Sequence, residues 1–305
     1  MYPVLVQIGP LPIRSWGVMV MLGFLAGLWI ASREARRRGL DPNHILDFSL
    51  YALIASLIGA RLMYILLDLP TYLEDPIQMV YLQMGGMSIH GAVIGGAIAG
   101  GLFAWRYKIP FWKLMNIVAP GLILGQAIGR IGCFLNGDSY GKITDSWVGV
   151  SFEAAGVPGL RHPTQLYEMV LNLGIFAVLW FLRTKKGWGD RIFLSYLILY
   201  SLARAGVEAF REAELLFGPV TVAQGASAVI ILSALVLWWR GVGVELGLLP
   251  FPSIPRSKRK PQKSRGLSSR GCRVSFPIEP CRTGGGSGPH DQGARARRSG
   301  EPAAR

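Results

Sequence analysis

Seven stretches of this chain, residues 14-32, 47-68, 87-106, 112-135, 164-182, 191-210 and 219-239, are apolar over lengths near or above the roughly 20 residues that carry a helix across about 30 Å of hydrocarbon. In lipid no water satisfies the backbone, so an open sheet is excluded and each stretch is expected to be helical. The expected fold class is all-α, a polytopic membrane protein of about seven transmembrane helices. Of the 305 residues 51% are hydrophobic and 16% charged, which excludes an ordinary soluble domain.

The net charge of +14 would fit a nucleic-acid binder if it were spread over a folded surface, but it is not. Residues 251-305 hold thirteen Lys or Arg against Glu279, Asp291 and Glu301, so +10 of the charge belongs to this tail. With runs such as Arg256-Ser257-Lys258-Arg259-Lys260 and few apolar residues, the tail is expected to be disordered, leaving residues 1-250 as the membrane domain. No nucleic-acid partner is expected. Cys133, Cys272 and Cys281 form no disulfide framework, and four His with three Cys show no metal-ligand spacing.

Basic residues alternate between the helix ends. Arg33, Arg36, Arg37 and Arg38 follow helix 1; Arg106, Lys108 and Lys113 lie between helices 3 and 4; Arg183, Lys185, Lys186 and Arg191 lie between 5 and 6. The opposite ends carry little: Arg14, then Lys142 and Arg161 in loop 137-163, then Arg211. The positive-inside tendency puts the N-terminus outside, the C-terminus in the cytoplasm, and loop 137-163 on the outer side, where Gly156, Pro158 and Gly159 mark turns.

Against this apolar background, Arg130, Arg204, Glu208, Glu168 and His90 stand inside or at the ends of the spans. An Arg at the bilayer centre costs about 3 kcal/mol on insertion scales, so several together imply a polar task such as binding an anion. Arg130 lies in Gly129-Arg130-Ile131-Gly132-Cys133-Phe134-Leu135-Asn136-Gly137-Asp138-Ser139-Tyr140-Gly141, where glycines expose backbone N-H groups beside a guanidinium that can grip two phosphate oxygens. Helix packing with Arg130 snorkelling fits the same residues. Tyr200, Arg204, Glu208 and Arg211 share one helix face at i, i+4, i+8 and i+11, either as a binding stripe or as a self-neutralising pair. Gln165, Glu168 and Asn172 share a face at i, i+3 and i+7, which suits a site or interhelical bonding equally. His90 sits among glycines with small-xxx-small spacing, and Arg61 within helix 2 is either a site charge or a snorkelling one.

These motifs, with Gly86-Met87-Ser88-Ile89-His90-Gly91, Arg161-His162-Pro163-Thr164-Gln165-Leu166-Tyr167-Glu168 and the Ile13 to Phe24 segment, resemble the prolipoprotein diacylglyceryl transferase family over about residues 10-240 and in family order. The resemblance implies an enzyme of the bacterial cytoplasmic (inner) membrane, multi-pass, that moves diacylglycerol from phosphatidylglycerol to the lipobox cysteine thiol of a prelipoprotein signal peptide. The products are a thioether and glycerol 1-phosphate, and no cofactor is called for. It implies His90, Arg130 and Arg204 as catalytic, and Arg130, Asn136, Asp138, Gly141, Tyr200, Arg204, Glu208 and Trp16 as substrate-binding, with membrane lipid as the surrounding partner. Three positions depart from the family pattern, which often has Asn at Cys133, Glu at Asp138 and Tyr at Trp16. A thiol lacks an amide's two hydrogen-bonding functions, so no role is carried to Cys133. The competing reading is a carrier or flippase for an anionic lipid or solute, because cations between helices also mark transport paths.

Overall fold

The computed structural model describes residues 2-8, 11-74, 77, 86-212, 215-217 and 220-241. The basic tail at 251-305, with Cys272 and Cys281, lies outside them. Each of the seven apolar stretches coincides with a helix: α1 (Ser15–Arg37), α2 (Pro42–Leu67), α4 (Ile89–Tyr107), α5 (Phe111–Asn136), α6 (Thr164–Leu182), α7 (Ile192–Glu208) and α8 (Val222–Trp239), with a short α3 (Leu69–Glu74) following α2. Five of them, α1, α2, α5, α6 and α8, are long and apolar enough to cross a membrane. At 17 residues α7 is shorter, and the glycines of α4, with His90 and Arg106, dilute its hydropathy.

The helix ends follow local chemistry. Pro42 occupies the first turn of α2, where its missing N-H costs nothing, and the Asp41 carboxylate accepts the Asn43 N-H at 2.9 Å. At α8, Thr221 and Gln224 form a reciprocal capping box. Gly137 ends α5 in a left-handed conformation (φ 81°), a geometry that a residue without Cβ adopts freely.

Two pairs of helices pack backbone to backbone. A Cβ on Gly23 or Gly27 of α1 would come within 2.8 Å of the carbonyl oxygen of Gly125 or Gly121 on α5. Gly59 of α2 meets Gly91 of α4 in the same way, and Gly95 meets Ala55. Because lipid is as apolar as Leu, such close approach is what associates helices in a bilayer. Apolar clusters then join the pairs. Phe48, Phe103, Leu114 and Ile117 link α2, α4 and α5, while Ile123, Ile175, Leu179 and Tyr196 link α5, α6 and α7. The outer faces keep Leu66, Trp105, Leu232 and Trp239 exposed, as suits contact with lipid.

Two features correct the expectation from sequence. The fold is mostly helical, but three two-stranded antiparallel hairpins accompany the helices: β1 (Val4–Ile8) with β2 (Leu11–Arg14), β3 (Val150–Phe152) with β4 (Val157–Arg161), and β5 (Leu215–Phe217) with β6 (Val220–Thr221). All lie in segments that join or precede the helices, so the lipid argument that excludes open sheets does not reach them. In addition, α1 runs five residues past the apolar stretch, through Arg33, Arg36 and Arg37. Cations in a last turn suit the helix dipole, and Glu34 on that turn is fully buried as their counter-charge.

Candidate functional site

The end of α5, the start of α6 and the end of α7 meet around one carboxylate. Glu168, 5% exposed on α6, is approached by Arg130 from α5, by Arg204 from α7 at 3.4 Å and by Arg211, just beyond α7, at 3.5 Å. Glu208 pairs with Arg204 at 2.5 Å one turn along α7. Three guanidiniums therefore face two carboxylates, and each Arg side chain stays about one-fifth exposed. The cations are anchored on one side and reachable on the other.

The pairing is close but loosely directed. Glu168 Oε2 lies within ion-pair distance of Arg130, and Glu208 Oε2 within that of Arg204, yet neither oxygen accepts a well-aligned hydrogen bond from the described residues. Around them Gln126 Oε1, Gln165 Oε1 and Asn172 Nδ2 are buried without a partner among the described residues. Buried polar atoms are paired in all but a few cases, so this concentration marks a place shaped to receive polar groups from elsewhere. Gln165 and Asn172 share the α6 face with Glu168, as their spacing predicts. Burial, with Arg204 and Arg130 adding to it, holds the Arg211 guanidinium below its ordinary value against the pull of Glu168 and Glu208.

Loop 137-163 is tied across the three helix ends. The Gly141 N-H donates to the His162 carbonyl at 2.9 Å, and the Lys142 N-H to the Phe210 carbonyl at 2.8 Å. Thr164 Oγ1 donates to the Ser139 carbonyl at 2.7 Å, and Gln165 Nε2 to the Asp138 carbonyl at 2.6 Å. Arg161 lies 4.9 Å from the Tyr140 ring centroid and reaches both the Gly141 carbonyl and Glu212 at 3.3 Å. A Cβ at Gly141 would run into the Phe210 carbonyl, the Thr164 methyl and the His162 Cβ, so three segments cross at a point that only glycine fits.

The residues expected from sequence fall into two groups. Arg130, Arg204, Glu208 and Tyr200 come together, with Tyr200 set against Arg130 and stacked on Tyr196 at 5.8 Å. Asn136 donates to Asp138 at 2.7 Å beside them, and the half-buried Cys133 lies near both Arg130 and Asp138. Trp16 borders this turn from α1: its Cα stands 3.3 Å from where a Gly132 Cβ would be. His90, exposed in the first turn of α4, is joined to the cluster by none of the described hydrogen bonds or ion pairs. Arg61 is buried, donates to the Gly86 carbonyl at 3.1 Å and lies 5.4 Å from the Tyr72 ring centroid, which makes it a brace between α2, α3 and the approach to α4. Glu168 and Arg211 are the members that sequence reasoning underweighted. Helical spacing put each on the right face, but only the meeting of α6 with α7 makes Glu168 the hub.

No group of three or more His, Cys, Asp or Glu able to hold a metal occurs among the described residues. Residues 3–240 match the family model described as prolipoprotein diacylglyceryl transferase. A protein of Halalkalibacterium halodurans named phosphatidylglycerol-prolipoprotein diacylglyceryl transferase is 35% identical over 279 residues, covering 85% of this chain and 95% of its own. Proteins of the same name from Bacillus cereus and Bacillus mycoides are 35% and 36% identical, each covering 76% of this chain and 89% and 88% of their own.

Proposed function

The chain belongs to the prolipoprotein diacylglyceryl transferase family, and from that premise we propose how its own residues carry the reaction. The protein is a diacylglyceryl transferase acting on phosphatidylglycerol and prolipoprotein, at the first step of lipoprotein maturation. A carrier, which would relocate its lipid unchanged, is thereby set aside. The thiol of the incoming lipobox cysteine loses its proton, its sulfur bonds to the terminal glyceryl carbon of the diacylglycerol, and the carbon-oxygen bond to phosphate breaks. The oxygen keeps the electron pair and leaves as glycerol 1-phosphate.

Two demands follow from that chemistry. A free thiol with pKa near 8.5 is only a few per cent thiolate at neutral pH, so a base or a nearby positive charge helps. The leaving phosphate gains negative charge as the bond breaks, and fixed cations in a dry site stabilise it. Arg130 and Arg204 are assigned to that phosphate. The observation that carries the assignment is their convergence from two helices on the single carboxylate of Glu168, with both guanidiniums partly open. His90, exposed in the first turn of α4, is assigned as base or positioning group. Asn136, Asp138, Gly141, Tyr200, Glu208 and Trp16 form the surrounding wall, and no cofactor takes part.

The finer topology belongs to the same proposal: seven crossings of the bacterial inner membrane, N-terminus outside, residues 1-250 as the catalytic domain and 251-305 as a cytoplasmic tail. The end of α5 and the loop after it then face the outer leaflet, where a secreted prelipoprotein emerges. Purified protein given phosphatidylglycerol and a lipobox peptide should yield a thioether-lipidated peptide and an equal amount of glycerol 1-phosphate. Lipid moved across vesicles with neither product formed would defeat the reading.

A further inference from the structure

Glu168 is an odd neighbour for a phosphate. It is buried, it stands between the two guanidiniums assigned to the headgroup, and its contacts to Arg204 and Arg211 are long, at 3.4 and 3.5 Å, while its other oxygen meets Arg130 without a directed hydrogen bond. An anion that three cations approach, one closely and two at long range, without a short and well-directed hydrogen bond from any of them occupies the place of a ligand rather than that of a strut. The charges of the connected network fit the same description. Arg130, Arg204 and Arg211 against Glu168 and Glu208 leave +1. A phosphodiester carries one negative charge and brings the network to neutrality. The phosphomonoester left after carbon-oxygen cleavage carries up to two and overshoots it.

We propose that Glu168 is an internal counter-anion that donor phosphate displaces from Arg130 and Arg204, and that re-forms these pairs to expel the phosphomonoester product. The inference rests on the transferase reading and concerns product release. Glu168 acts through the guanidiniums, so it is a positioning residue. Arg130 from α5, Arg204 from α7 and Arg211 beyond it meet Glu168 directly, while Cys133 and Tyr200 lie against Arg130, Asp138 against Cys133, and Glu208 against Arg204. Losing its charge raises the network to +2, which holds a dianion better. The cost then falls on turnover and not on donor binding.

The full chain in detergent, assayed with phosphatidylglycerol and a lipobox peptide, tests this by inhibition with added glycerol 1-phosphate. E168Q should lower kcat without raising KM for the lipid, and should tighten inhibition about tenfold, the scale of one charged hydrogen bond; E168D should restore both. A merely structural Glu168 would instead raise KM and weaken inhibition together, and that result, or unchanged inhibition, overturns the proposal. A second arm needs only the unmodified protein. Between pH 7.5 and 5.5 the inhibitor's monoanion fraction rises about 25-fold, for a second pKa near 6. Inhibition should strengthen accordingly relative to the methyl diester of glycerol phosphate, which stays a monoanion and cancels any titration of the protein. A ratio that does not move overturns the proposal even if E168Q does not fold. Absence of transfer by the unmodified protein would instead sink the transferase reading itself.

Discussion

Among the described residues two buried carboxylates are ringed by arginines, at opposite ends of α5, and they are built differently. Glu34 is fully buried, and both of its oxygens are saturated: Arg37 donates at 2.9 and 2.5 Å, Arg38 at 2.7 Å and Arg183 at 2.6 Å. Its arginines are themselves tied down. Arg183 lies 3.4 Å from the Trp180 ring centroid, Arg38 donates to the Gly189 carbonyl at 2.6 Å, and Asn116 holds the same turn through the Asp190 carbonyl and the Phe193 N-H, both at 2.8 Å. Glu168 meets Arg130 closely but without a directed hydrogen bond, reaches Arg204 and Arg211 only at 3.4 and 3.5 Å, and has amide atoms around it that no described residue pairs. A closed cluster has used its hydrogen-bonding capacity on the protein, and an open one has kept some for a ligand. Charge in a membrane therefore marks a site only where it is left incompletely satisfied.

The largest effect should come from the closed end. Replacing Glu34 with Ala takes the shared anion from Arg37 and Arg183 and leaves Arg38 only the exposed Asp190 at 3.4 Å, and removing one partner of a buried pair costs about 3–5 kcal/mol. Thermal unfolding in detergent should shift strongly downward, while turnover per folded molecule stays near normal. Lost turnover at unchanged stability would mean that the two ends do not differ as described.

Arg130→Ala should show the reverse. Deleting a cation aimed at developing charge costs about 10²–10³ in kcat, whereas Glu168 keeps Arg204 and Arg211, so stability should hold. Arg204→Ala should lose a comparable factor. Folded Arg130→Ala with normal turnover would break the phosphate assignment.

Between these lies Gly141→Ala. The added methyl meets the Phe210 carbonyl and two side chains, and overpacking of this kind costs about 1–3 kcal/mol. Both readouts should fall together, because the crossing point holds the loop against the α6 and α7 ends that carry Glu168 and Glu208. A change in stability alone would place Gly141 with the Glu34 end, as scaffold.

Sequence made the helices legible because a segment in lipid has few options, and periodicity placed Tyr200, Arg204, Glu208 and Arg211 on one face. It did not reveal the hairpins, since short strands in the segments that join or precede helices carry no length signal. Nor did it separate the two clusters. Glu34 beside Arg37 and Arg38 reads as ordinary helix-end charge until Arg183 arrives from α6, and Glu168 reads as a polar residue near a helix start until α7 brings Arg204. Both distinctions are tertiary, so spacing along one helix could not carry them.

The smallest effect tests a departure from the family pattern. Cys133 lies beside Arg130 and Asp138, at a position where the resemblance leads one to expect Asn, and the nucleophile of the proposed reaction belongs to the incoming peptide. Asn136 already donates to Asp138 at 2.7 Å, so the nearby carboxylate has an amide partner without one at position 133. Cys133→Ser keeps the shape with a slightly smaller atom and exchanges a weak S-H donor for a hydroxyl, and should change kcat by less than about threefold, the low end of the range of a single neutral hydrogen bond. A loss approaching that of Arg130→Ala would place the thiol among the reacting groups and enlarge the open cluster by one member. A gain in Cys133→Asn would show that the family's amide adds a contact to the headgroup that this chain has given up.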